Sequence, residues 1–364
     1  MNWETIFKEA HVWSENAGPQ NDVVLSSRIR LARNLIDRPF PARLDHAAQR
    51  HVMHQVVEAA TGSPSLANAE FIDLQDTRKI ERQFLMERHL ISSEMAVEEG
   101  IRGVLISPTR QLSLMINEED HLRLQSFESG LNLETAWKRA NQADSELGEK
   151  LPYAFDAEWG YCTRCPTNVG TGLRASCLLH LPALAVNGDI ERVLEGLTPL
   201  GVTARGFYGE KSKAIGDLFQ ISNSTSLGHT ENELIENIER VVQSIIQYER
   251  QAREALNNAH HRLTSEDQVF RAWGILLHAR LISYDEAMTL LSNVRLGLQM
   301  GFPVPVKPNV INQLMLITQP GHLQLMKGST LKAEERDRWR AAIIRTKLNE
   351  ASFTSGNGFS TTES

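Results

Sequence analysis

The 364-residue sequence predicts an α+β protein, in which an antiparallel β-sheet flanked by helices is followed by a C-terminal all-α domain. Three observations support this fold class: two apolar runs joined by a tight turn near residue 108, a long amphipathic helix ending near residue 256, and purely helical patterns after residue 260. A chain of this length exceeds one typical domain. We therefore expect a first domain over 1–258, a helical domain over 259–350 and a disordered Gly/Ser/Thr-rich tail over 351–364.

Apolar and alternating runs define the predicted strands. Val23–Leu35 mixes Val, Ile and Leu with polar residues, Gly103–Ser107 and Leu112–Asn117 form a hairpin around Pro108, and His121–Phe127 alternates. Three further strand candidates are Phe71–Leu74, Val202–Gly206 and Leu218–Ser222. Apolar residues at helical spacing predict two helices among them, Leu44–Ala60 and Glu134–Leu147.

Helical patterns dominate from residue 231 onward. Glu231–Leu256 repeats apolar residues every three or four positions, and Asn257–Thr264 is the best candidate linker. Ser265 and Ser283 each precede a helical pattern with acidic residues close behind, which predicts an N-cap at both positions. The predicted helices of the C-terminal domain are Ser265–Leu281, Ser283–Gly301, Asn309–Thr318 and Ala333–Leu348.

Charge and hydropathy exclude several classes of protein. The net charge is −7 at pH 7 and the sequence pI is near 6.0, which argues against direct binding to nucleic acid. No apolar run approaches the roughly 18 residues that a membrane span needs, and the first residues lack the pattern of a secretory signal. Three cysteines are too few for a disulfide framework, so we expect a reducing, cytoplasmic location.

Two cysteine-containing pairs offer a zinc site as an alternative interpretation. Cys162-x2-Cys165 is followed by Cys177-x2-His180, and four such ligands suit tetrahedral zinc. The spacer CPTNVGTGLRAS holds two glycines and an arginine, a composition that favours an anion-binding loop over a metal finger. We therefore predict no bound metal at this position.

Acidic and basic residues cluster in separate short segments. NEEDH at 117–121 contains three successive carboxylates, and it is either a polar turn or a site that receives a positively charged substrate. Arg28 and Arg30 alternate in SSRIR and therefore share one strand face, where they either meet solvent or converge on a polyanion. Arg123, Arg174 and Arg205 each lie beside a loop or a Gly-rich turn.

Four segments together resemble the catalytic domain of the phosphagen (guanidino) kinases. They are LSSRIRLARNL at 25–35, NEEDHLRL at 117–124, CPTNVGTGLRAS at 165–176 and ARGFYGEKSKAIGDLFQISNSTSLGHTENELI at 204–235. Their order and spacing also fit that family, and the resemblance covers about residues 20–255. It implies the fold of the family's catalytic domain, an antiparallel sheet flanked by helices.

The resemblance implies ATP and Mg²⁺ as cofactors and gives roles to individual residues. Glu119 matches the catalytic glutamate and is the general-base candidate, Glu210 is the candidate for a second carboxylate on the acceptor guanidinium, and Cys165 matches the family's reactive cysteine. His89 is the candidate for adenine contact, with a surface helix histidine as the alternative, while a plain buried thiol is the alternative for Cys165. The implied ATP-binding set is Ser26, Ser27, Arg28, Ile29, Arg30, His89, Arg123, Arg174, Ala175, Ser176, Cys177, Leu178, Arg205, Gly206, Phe207, Tyr208, Gly209 and Glu210.

Two departures from the metabolic members indicate a particular branch of the family. Only about twenty residues precede the first motif, where metabolic members carry a small helical domain, and a helical extension follows residue 260. This combination resembles the bacterial protein-arginine kinases, which phosphorylate arginine side chains of proteins and mark them for a Clp-type protease. RDRWRA at 336–341 is similar to the RDxxRA motif of that branch, although spacing alone favours an ordinary charged helix face. The resemblance implies an allosteric phosphoarginine pocket formed by Arg336, Asp337, Arg340 and Ala341.

Partners and competing functions also follow from the resemblance. The implied partners are arginine-bearing protein substrates, a zinc-containing activator protein, a heat-shock transcriptional repressor and the Clp protease machinery. The amphipathic helices beyond 260 suit a homodimer as well as core packing. The competing functions are a metabolic guanidino kinase acting on free arginine and a non-catalytic adaptor that reads phosphoarginine. The presence of all five arginines and Glu119 weakens the adaptor hypothesis.

Overall fold

The computed structural model describes residues 15–206, 215–258 and 260–355, and an antiparallel sheet lies at its centre. Its strands are β1 Val24–Arg33, β2 Glu70–Asp73, β3 Gly103–Ile106, β4 Leu112–Ile116, β5 Leu122–Ser129, β8 Leu173–His180, β9 Val202–Gly206 and β10 Leu218–Asn223. A separate ribbon pairs β6 Phe155–Asp156 with β7 Gly160–Tyr161. The strand order in the main sheet is β2-β3-β4-β5-β1-β8-β10-β9, and every neighbouring pair is antiparallel.

The predicted antiparallel sheet is confirmed, including the hairpin of β3 and β4, in which Gly103 lies opposite Ile116. β1 takes the centre of the sheet between β5 and β8. One interpretation was wrong: the second half of the predicted anion-binding loop belongs to strand β8. Gly172, which has a φ of +65°, turns the chain immediately before β8, so the glycines end the loop and the residues after them are extended.

Helices of the first 258 residues flank the sheet on both faces. They are α1 His46–Thr61, α2 Lys79–Glu87, α3 Ser93–Val97, α4 Leu133–Gly148, α5 Pro182–Val186, α6 Ile190–Glu195 and α7 Glu231–Leu256. α7 matches its predicted range, and it begins with a capping box in which Thr230 accepts from the backbone N–H of Glu233 and the Glu233 side chain accepts from that of Thr230.

The two sheet faces are covered to different extents. α4 and α7 pack on one face over the centre of the sheet, where Ile29, Ala175 and Ile221 are completely buried. On the other face, α2 and α3 form a smaller apolar cluster with β2, β3 and β4. The central strands are left uncovered on this second face, which opens a cleft above them.

A helical bundle follows, as predicted for the region beyond 260. Its helices are α8 Arg262–His278, α9 Tyr284–Gln299, α10 Pro308–Ile317, α11 Pro320–Lys327 and α12 Ala333–Ser355. Ser283 caps α9 by accepting from the backbone N–H of Glu286 at 3.2 Å, as predicted. The N-cap predicted at Ser265 is wrong, because α8 begins three residues earlier at Arg262.

α11 was not predicted, because Pro320-Gly321 has the composition of a helix breaker. Proline is nevertheless well suited to the first helical position, where its missing N–H would have no intrahelical partner. α12 extends to Ser355, past the predicted domain end at 350, and residues 356–364 of the predicted tail lie outside the described residues.

The apolar core is continuous across the predicted boundary at residues 258 and 259. Met288 and Leu291 from the bundle belong to the same buried cluster as Leu218 and Ile221 from the sheet. The bundle is therefore packed on the sheet domain, and its helices reach the strands that carry the cleft. None of the described helices combines the length and apolar character that crossing a lipid bilayer requires.

Candidate active site

The cleft of about 770 Å³ on the open sheet face collects the predicted arginines. Arg28 and Arg30 point into it from alternate positions of β1, as the SSRIR pattern predicts. Arg174 on β8 lies directly opposite Arg30, and Arg123 on β5 lies opposite Ala32. Arg205 enters from β9, opposite Gln220 on β10. Four strands of the sheet, β5, β1, β8 and β9, thus direct guanidinium groups to one concave surface.

The guanidinium groups of Arg28 and Arg30 form no direct ion pair with the described residues, and the nearby charge of Glu118 only partly offsets the lowered pKa of Arg30. Within the described part of the chain neither guanidinium donates a hydrogen bond, and Arg30 Nε is buried with no acceptor. Burial, followed by the charges of Arg174 and Arg123, lowers the pKa of Arg28 to about 9. Burial and the charge of Arg28 hold the pKa of Arg30 well below its usual value. Such unsatisfied donors at the floor of a cleft suit a polyanionic ligand.

The other cleft arginines are already engaged with the protein. Arg174 donates from Nη2 to Ser222 Oγ at 2.9 Å. Arg123 donates from Nη1 to Glu118 at 2.6 Å and from Nη2 to Glu119 at 3.2 Å. Arg123 therefore links the cationic floor of the cleft to its acidic corner.

The acidic corner contains the predicted base, Glu119. About a third of its side chain is exposed, and it lines the same cleft as Cys165. Burial, with smaller contributions from Asp120 and Glu118, raises the pKa of Glu119, while Arg123 opposes the shift. A carboxylate whose pKa is raised in this way is a better proton acceptor than an exposed one.

The remaining residues of NEEDH have structural partners. Asp120 is fully buried and accepts from Asn34 Nδ2 at 2.7 Å and from the backbone N–H of Arg164 at 2.8 Å. His121 Nδ1 accepts from the backbone N–H of Leu35 at 3.1 Å, and burial lowers the pKa of His121 to about 4. These bonds fix the loop, so the acidic run is a rigid turn that presents Glu118 and Glu119 to the cleft.

The cysteines occupy different environments. Cys165 is half-buried at the cleft, and its Sγ lies 3.1 Å from Thr167 Oγ1. Cys177 is buried on the other side of the sheet, 3.6 Å from Ser27 Oγ, and burial raises the pKa of its thiol to about 12. His180 contacts Ser292 and Arg295 of the bundle. Among the described residues no three His, Cys, Asp or Glu side chains are grouped to hold a metal ion.

His89 lies at the end of the cleft nearest α2. It has a φ of +57°, and its carbonyl accepts from Gln125 Nε2 at 2.7 Å. Burial and the nearby charges of Arg28 and Arg30 lower the pKa of His89 to about 3, so the ring is neutral at pH 7. A small adjoining pocket is formed by His89, Phe127, Ser26, Arg28, Ser176, Leu178 and Gln220. This end offers a neutral ring and an aromatic face, which suit a flat heterocycle.

Several residues of the implied ATP-binding set do not face the cleft. Ser27, Ile29, Ala175 and Cys177 alternate onto the covered face of the sheet and are buried there. Gly206 ends β9, next to the cleft residue Arg205. The predicted residues Phe207, Tyr208, Gly209 and Glu210 lie outside the described residues.

The structure adds cleft residues that the sequence did not identify. They include Glu94, Glu98, Glu118, Arg164 and Gln220. The NEEDH run could have identified Glu118, which is adjacent to the predicted base. For Arg164 and the α3 glutamates no local sequence signal exists, because only the fold brings them to the cleft.

The RDRWRA segment lies on α12, away from the cleft. Arg340 is buried and donates to the carbonyls of Thr318 and Ile282, each at 2.8 Å, and to Asp337 at 2.5 Å. Arg336 donates to the carbonyl of Leu331. Ala341 belongs to the bundle core, while Arg336 and Asp337 are half-buried.

Comparison with known families gives two matches in tandem. The domain described as ATP:guanido phosphotransferase, C-terminal catalytic domain, matches residues 51–252. The domain described as protein-arginine kinase McsB C-terminal domain matches residues 262–358. The first match carries most of the cleft, and the second covers the bundle.

Full-length relatives and solved structures agree with these matches. The chain is 46% identical over 346 residues to a protein-arginine kinase of Halothermothrix orenii, covering 95% of this chain and 99% of that one. It is also 46% identical over 354 residues to a protein-arginine kinase of Symbiobacterium thermophilum, covering 96% and 100%. A crystal structure of lombricine kinase has a TM-score of 0.57 and 26% identity, covering 64% of this chain and 67% of that one. The duplicated taurocyamine kinase from Schistosoma mansoni with bound transition state analog components has a TM-score of 0.57 and 25% identity, covering 70% and 36%.

Proposed function

The chain belongs to the protein-arginine kinase family of ATP:guanido phosphotransferases, and we propose that it transfers the γ-phosphoryl group of ATP to arginine side chains of proteins. The observation that carries this proposal is the cleft itself. It places Arg28 and Arg30, whose guanidinium groups donate no hydrogen bond to the described residues, on the same surface as a carboxylate with a raised pKa, Glu119. The anionic phosphoryl donor needs the arginines, the cationic acceptor needs the carboxylate, and transfer between them needs both in one cleft.

ATP with Mg²⁺ is the proposed phosphoryl donor. Arg28, Arg30, Arg174 and Arg205 would bind its phosphates, and the neutral ring of His89 would meet its base. Phosphoryl transfer proceeds through a loose transition state, so positioning and charge neutralisation supply most of the catalysis. Mg²⁺ in such sites is held mainly by phosphate oxygens and water with one or two carboxylates, for which Glu118 beside Arg123 is the candidate.

Glu119 is the proposed general base. A nitrogen of the acceptor guanidinium attacks the γ-phosphorus, the N–P bond forms, the bond to the ADP oxygen breaks, and the nitrogen's proton passes to Glu119. Guanidinium keeps its proton near neutral pH, so a carboxylate must orient it and accept that proton. Cys165 lines the same cleft as Glu119 and would contact the same acceptor, and Glu210 is the proposed second carboxylate.

Protein-bound arginine is the proposed acceptor, with free arginine as the competing substrate. The relatives that match over nearly the whole chain carry the name protein-arginine kinase, which supports the protein acceptor. The test supplies γ-labelled ATP, Mg²⁺, an unstructured arginine-bearing protein and free arginine in one reaction. We expect acid-labile label on the protein, because an N–P bond is acid-labile. Label on free arginine alone would instead identify a metabolic guanidino kinase.

The same assay tests the base. Glu119→Gln removes the proton acceptor and keeps the shape, so we expect the rate to fall by about 10²–10⁴. Glu128→Gln is the matched control, since Glu128 lies on β5, the strand that follows the turn carrying Glu119, but pairs with Arg139 away from the cleft. A Glu119→Gln rate within threefold of the parent would exclude the base role.

A regulatory phosphoarginine site is proposed in the helical domain over 259–350. Phosphoarginine carries a guanidinium nitrogen group and a phosphoryl group, which complement Asp337 and the pair Arg336 and Arg340, while Ala341 packs in the bundle core behind them. The bond between Asp337 and Arg340 supports this, because the opposite charges are already adjacent. We expect Asp337→Asn to weaken binding of a phosphoarginine peptide at least tenfold, as loss of a charged partner costs about 1.5–3 kcal/mol. Glu334→Gln on the exposed first turn of α12 serves as the control, and equal binding by both variants would reject the site.

A role in protein turnover and the heat-shock response is proposed from the family relationship alone. It includes a cytoplasmic location, delivery of phosphorylated proteins to a Clp-type protease, and association with a zinc-containing activator and a heat-shock repressor. The test is degradation by the Clp protease of one substrate before and after phosphorylation. Equal degradation of the two forms would reject the marking role.

A further inference from the structure

A buried carboxylate joins the end of α2 to the start of α11. Glu87 Oε1 accepts from the backbone N–H of Gly321 at 2.6 Å, and Oε2 accepts from that of His322 at 2.9 Å. Both N–H groups belong to the first turn of α11, where no intrahelical acceptor exists. The Glu87 side chain is 2% exposed. One residue of the sheet domain therefore caps a helix of the bundle more than 230 residues further along the chain.

His322 completes this junction with a defined proton position. Arg88 Nε donates to His322 Nε2 at 3.3 Å, so Nδ1 carries the ring proton and donates to Glu87 Oε2 at 2.8 Å. Burial lowers the pKa of His322, consistent with a neutral ring. The ring also packs on Phe84, with 4.6 Å between ring centroids. Every polar atom of the Glu87 carboxylate and the His322 ring is thus engaged.

The approach of α11 to Glu87 depends on Gly321. A Cβ at this position would lie 2.8–2.9 Å from the Glu87 carboxylate atoms, closer than real contacts allow. Any larger residue must push α11 away from Glu87 or displace the carboxylate. The Glu87 carboxylate and the absence of a side chain at Gly321 therefore both determine how closely α11 approaches α2.

The junction lies two residues from the cleft. Arg88 ends α2, and His89 follows it in a left-handed conformation that directs the chain back towards the sheet. Gln125 on β5 holds the His89 carbonyl, so the turn is fixed between β5 on one side and Glu87 on the other. A displacement of Glu87 must move the residue that forms the end of the cleft next to Arg28.

We propose that Glu87 is a positioning residue for nucleotide binding, through which α11 of the bundle fixes the turn that carries His89. The proposal rests on the proposed function, because it takes ATP as the ligand of the cleft. Glu87 itself does not line the cleft, whereas Met86 and His89 on either side of it do, and we assign its effect on the nucleotide to His89 because His89 also forms the pocket next to Arg28. The bundle then contributes to ATP affinity without touching ATP.

The test compares two carboxylates with the same local role. Glu249 on α7 also caps a helix that starts with proline, accepting from the backbone N–H groups of Ala183 and Leu184 in α5 at 3.2 and 3.0 Å. It is buried and lies away from the cleft. We expect Glu87→Gln to weaken ATP affinity roughly five- to tenfold, with the KM for the protein acceptor unchanged. We expect Glu249→Gln to leave ATP affinity unchanged while lowering the melting temperature to a similar degree.

A second pair of variants leaves every charge in place. Gly321→Ala forces α11 from Glu87 and is expected to weaken ATP affinity in the same direction as Glu87→Gln. Gly274→Ala in α8, where no atom lies within 4 Å of the added Cβ, is the matched control and is expected to have no effect. This pair keeps the test decisive if Glu87→Gln fails to fold.

The deciding measurement repeats the ATP titrations in a His89→Ala background. If Glu87 acts through His89, Glu87→Gln adds no further loss of affinity there. An undiminished further loss, or equal losses for Glu87→Gln and Glu249→Gln, would overturn the proposal. Unchanged ATP affinity of His89→Ala alone would also overturn it and leave the proposed kinase function intact. A wild-type chain that binds no ATP would instead reject the kinase function on which the proposal rests.

Discussion

The sheet cleft and the helical bundle both bury arginine side chains, and the two regions treat the charge in opposite ways. In the bundle, Arg295 donates to the carbonyls of Asn21 and Asp22 and to Asn312, at 2.7 to 3.1 Å, and contacts His180. In the cleft, Arg28 and Arg30 have no such acceptors among the described residues.

The pKa shifts show the same contrast. Burial lowers the pKa of both Arg28 and Arg295 to about 9. After burial, the charges of Arg174 and Arg123 lower the pKa of Arg28 further. The charge of Arg253 likewise lowers the pKa of Arg295, but there the carboxylates of Asp22 and Glu249 oppose the lowering. A buried cation with satisfied donors stabilises the fold, and one with unsatisfied donors is kept at a cost in stability for a ligand. The contrast separates Arg295, which is held by the protein, from Arg28 and Arg30, which face the cleft without protein acceptors.

The largest effect is expected from removing a cleft arginine. Arg30→Ala should lower kcat/KM for phosphoryl transfer by about 10²–10³, or about 2.7–4 kcal/mol, because one preorganised donor to the transferring group is lost. The free energy of unfolding should fall by no more than about 1 kcal/mol, since no protein partner of the guanidinium is left behind. Steady-state kinetics and urea unfolding on the same preparation measure both quantities.

Arg30→Lys separates charge from geometry at the same position. Lysine keeps the positive charge but lacks the planar fork that binds two phosphate oxygens, so we expect an activity between those of the parent and Arg30→Ala. If Arg30→Ala instead loses as much free energy of unfolding as Arg295→Met, the cleft arginine is as important to stability as the bundle arginine, which would contradict the contrast.

Removing a bundle arginine should have the opposite result. Arg295→Met keeps the apolar volume but leaves the carbonyls of Asn21 and Asp22 and the side chains of Asn312 and His180 without their donor. We expect the free energy of unfolding to fall by about 3 kcal/mol, the cost of buried unsatisfied acceptors. Among molecules that remain folded, kcat should stay within about threefold of the parent, since Arg295 is remote from the cleft. Urea unfolding and active-site titration test the two parts, and a large loss of kcat with unchanged stability would contradict the contrast.

The sequence predicted the cleft arginines because strand alternation is a local property. SSRIR places Arg28 and Arg30 on one face whatever the rest of the chain does, and the structure confirms that they share the cleft. The sequence prediction was wrong in the 165–176 segment. Its two glycines favour a loop, so the start of strand β8 was interpreted as part of that loop although apolar residues follow. The N-cap was misplaced at Ser265 for a related reason, because a local cap signal competes with helix propagation from Arg262.

Pairings between distant segments could not be predicted from local patterns. Glu87 with His322 and Arg295 with His180 join residues more than 110 positions apart, and no spacing rule relates them. Family resemblance supplied the roles of Glu119 and Cys165, but it gave no indication that Ser27 and Cys177 face away from the cleft. That division follows from the side chain alternation of β1 and β8, once both are known to be strands.

Bound ATP should supply the acceptors that the cleft arginines lack, and it should therefore stabilise the folded protein. ATP with Mg²⁺ at 100 times its dissociation constant should raise the free energy of unfolding of the parent by about 2.7 kcal/mol. Arg30→Ala at the same ATP concentration should lose most of this gain, because the ligand's affinity depends on that donor. Arg192→Gln, which removes an exposed arginine on α6, is the control and should retain the gain. Thermal denaturation with and without the nucleotide measures this gain in stability. Equal stabilisation of both variants would mean that ATP does not bind to the cleft arginines.

The smallest effect is expected from Arg164 at the rim of the cleft. Glu119 must be unprotonated to act as a base, so activity is lost as the pH falls through its pKa, which burial has raised above the ordinary value of 4.5. The positive charge of Arg164 lowers the pKa of Glu119, so Arg164→Gln should raise it and shift the acid limb of the kcat/KM profile to higher pH. At pH 8, where Glu119 is unprotonated in both proteins, kcat/KM should differ by less than about fivefold, as for an exposed charge. Arg192→Gln should leave the acid limb in place. A shift towards lower pH in Arg164→Gln would mean that the group titrating on the acid limb is not Glu119.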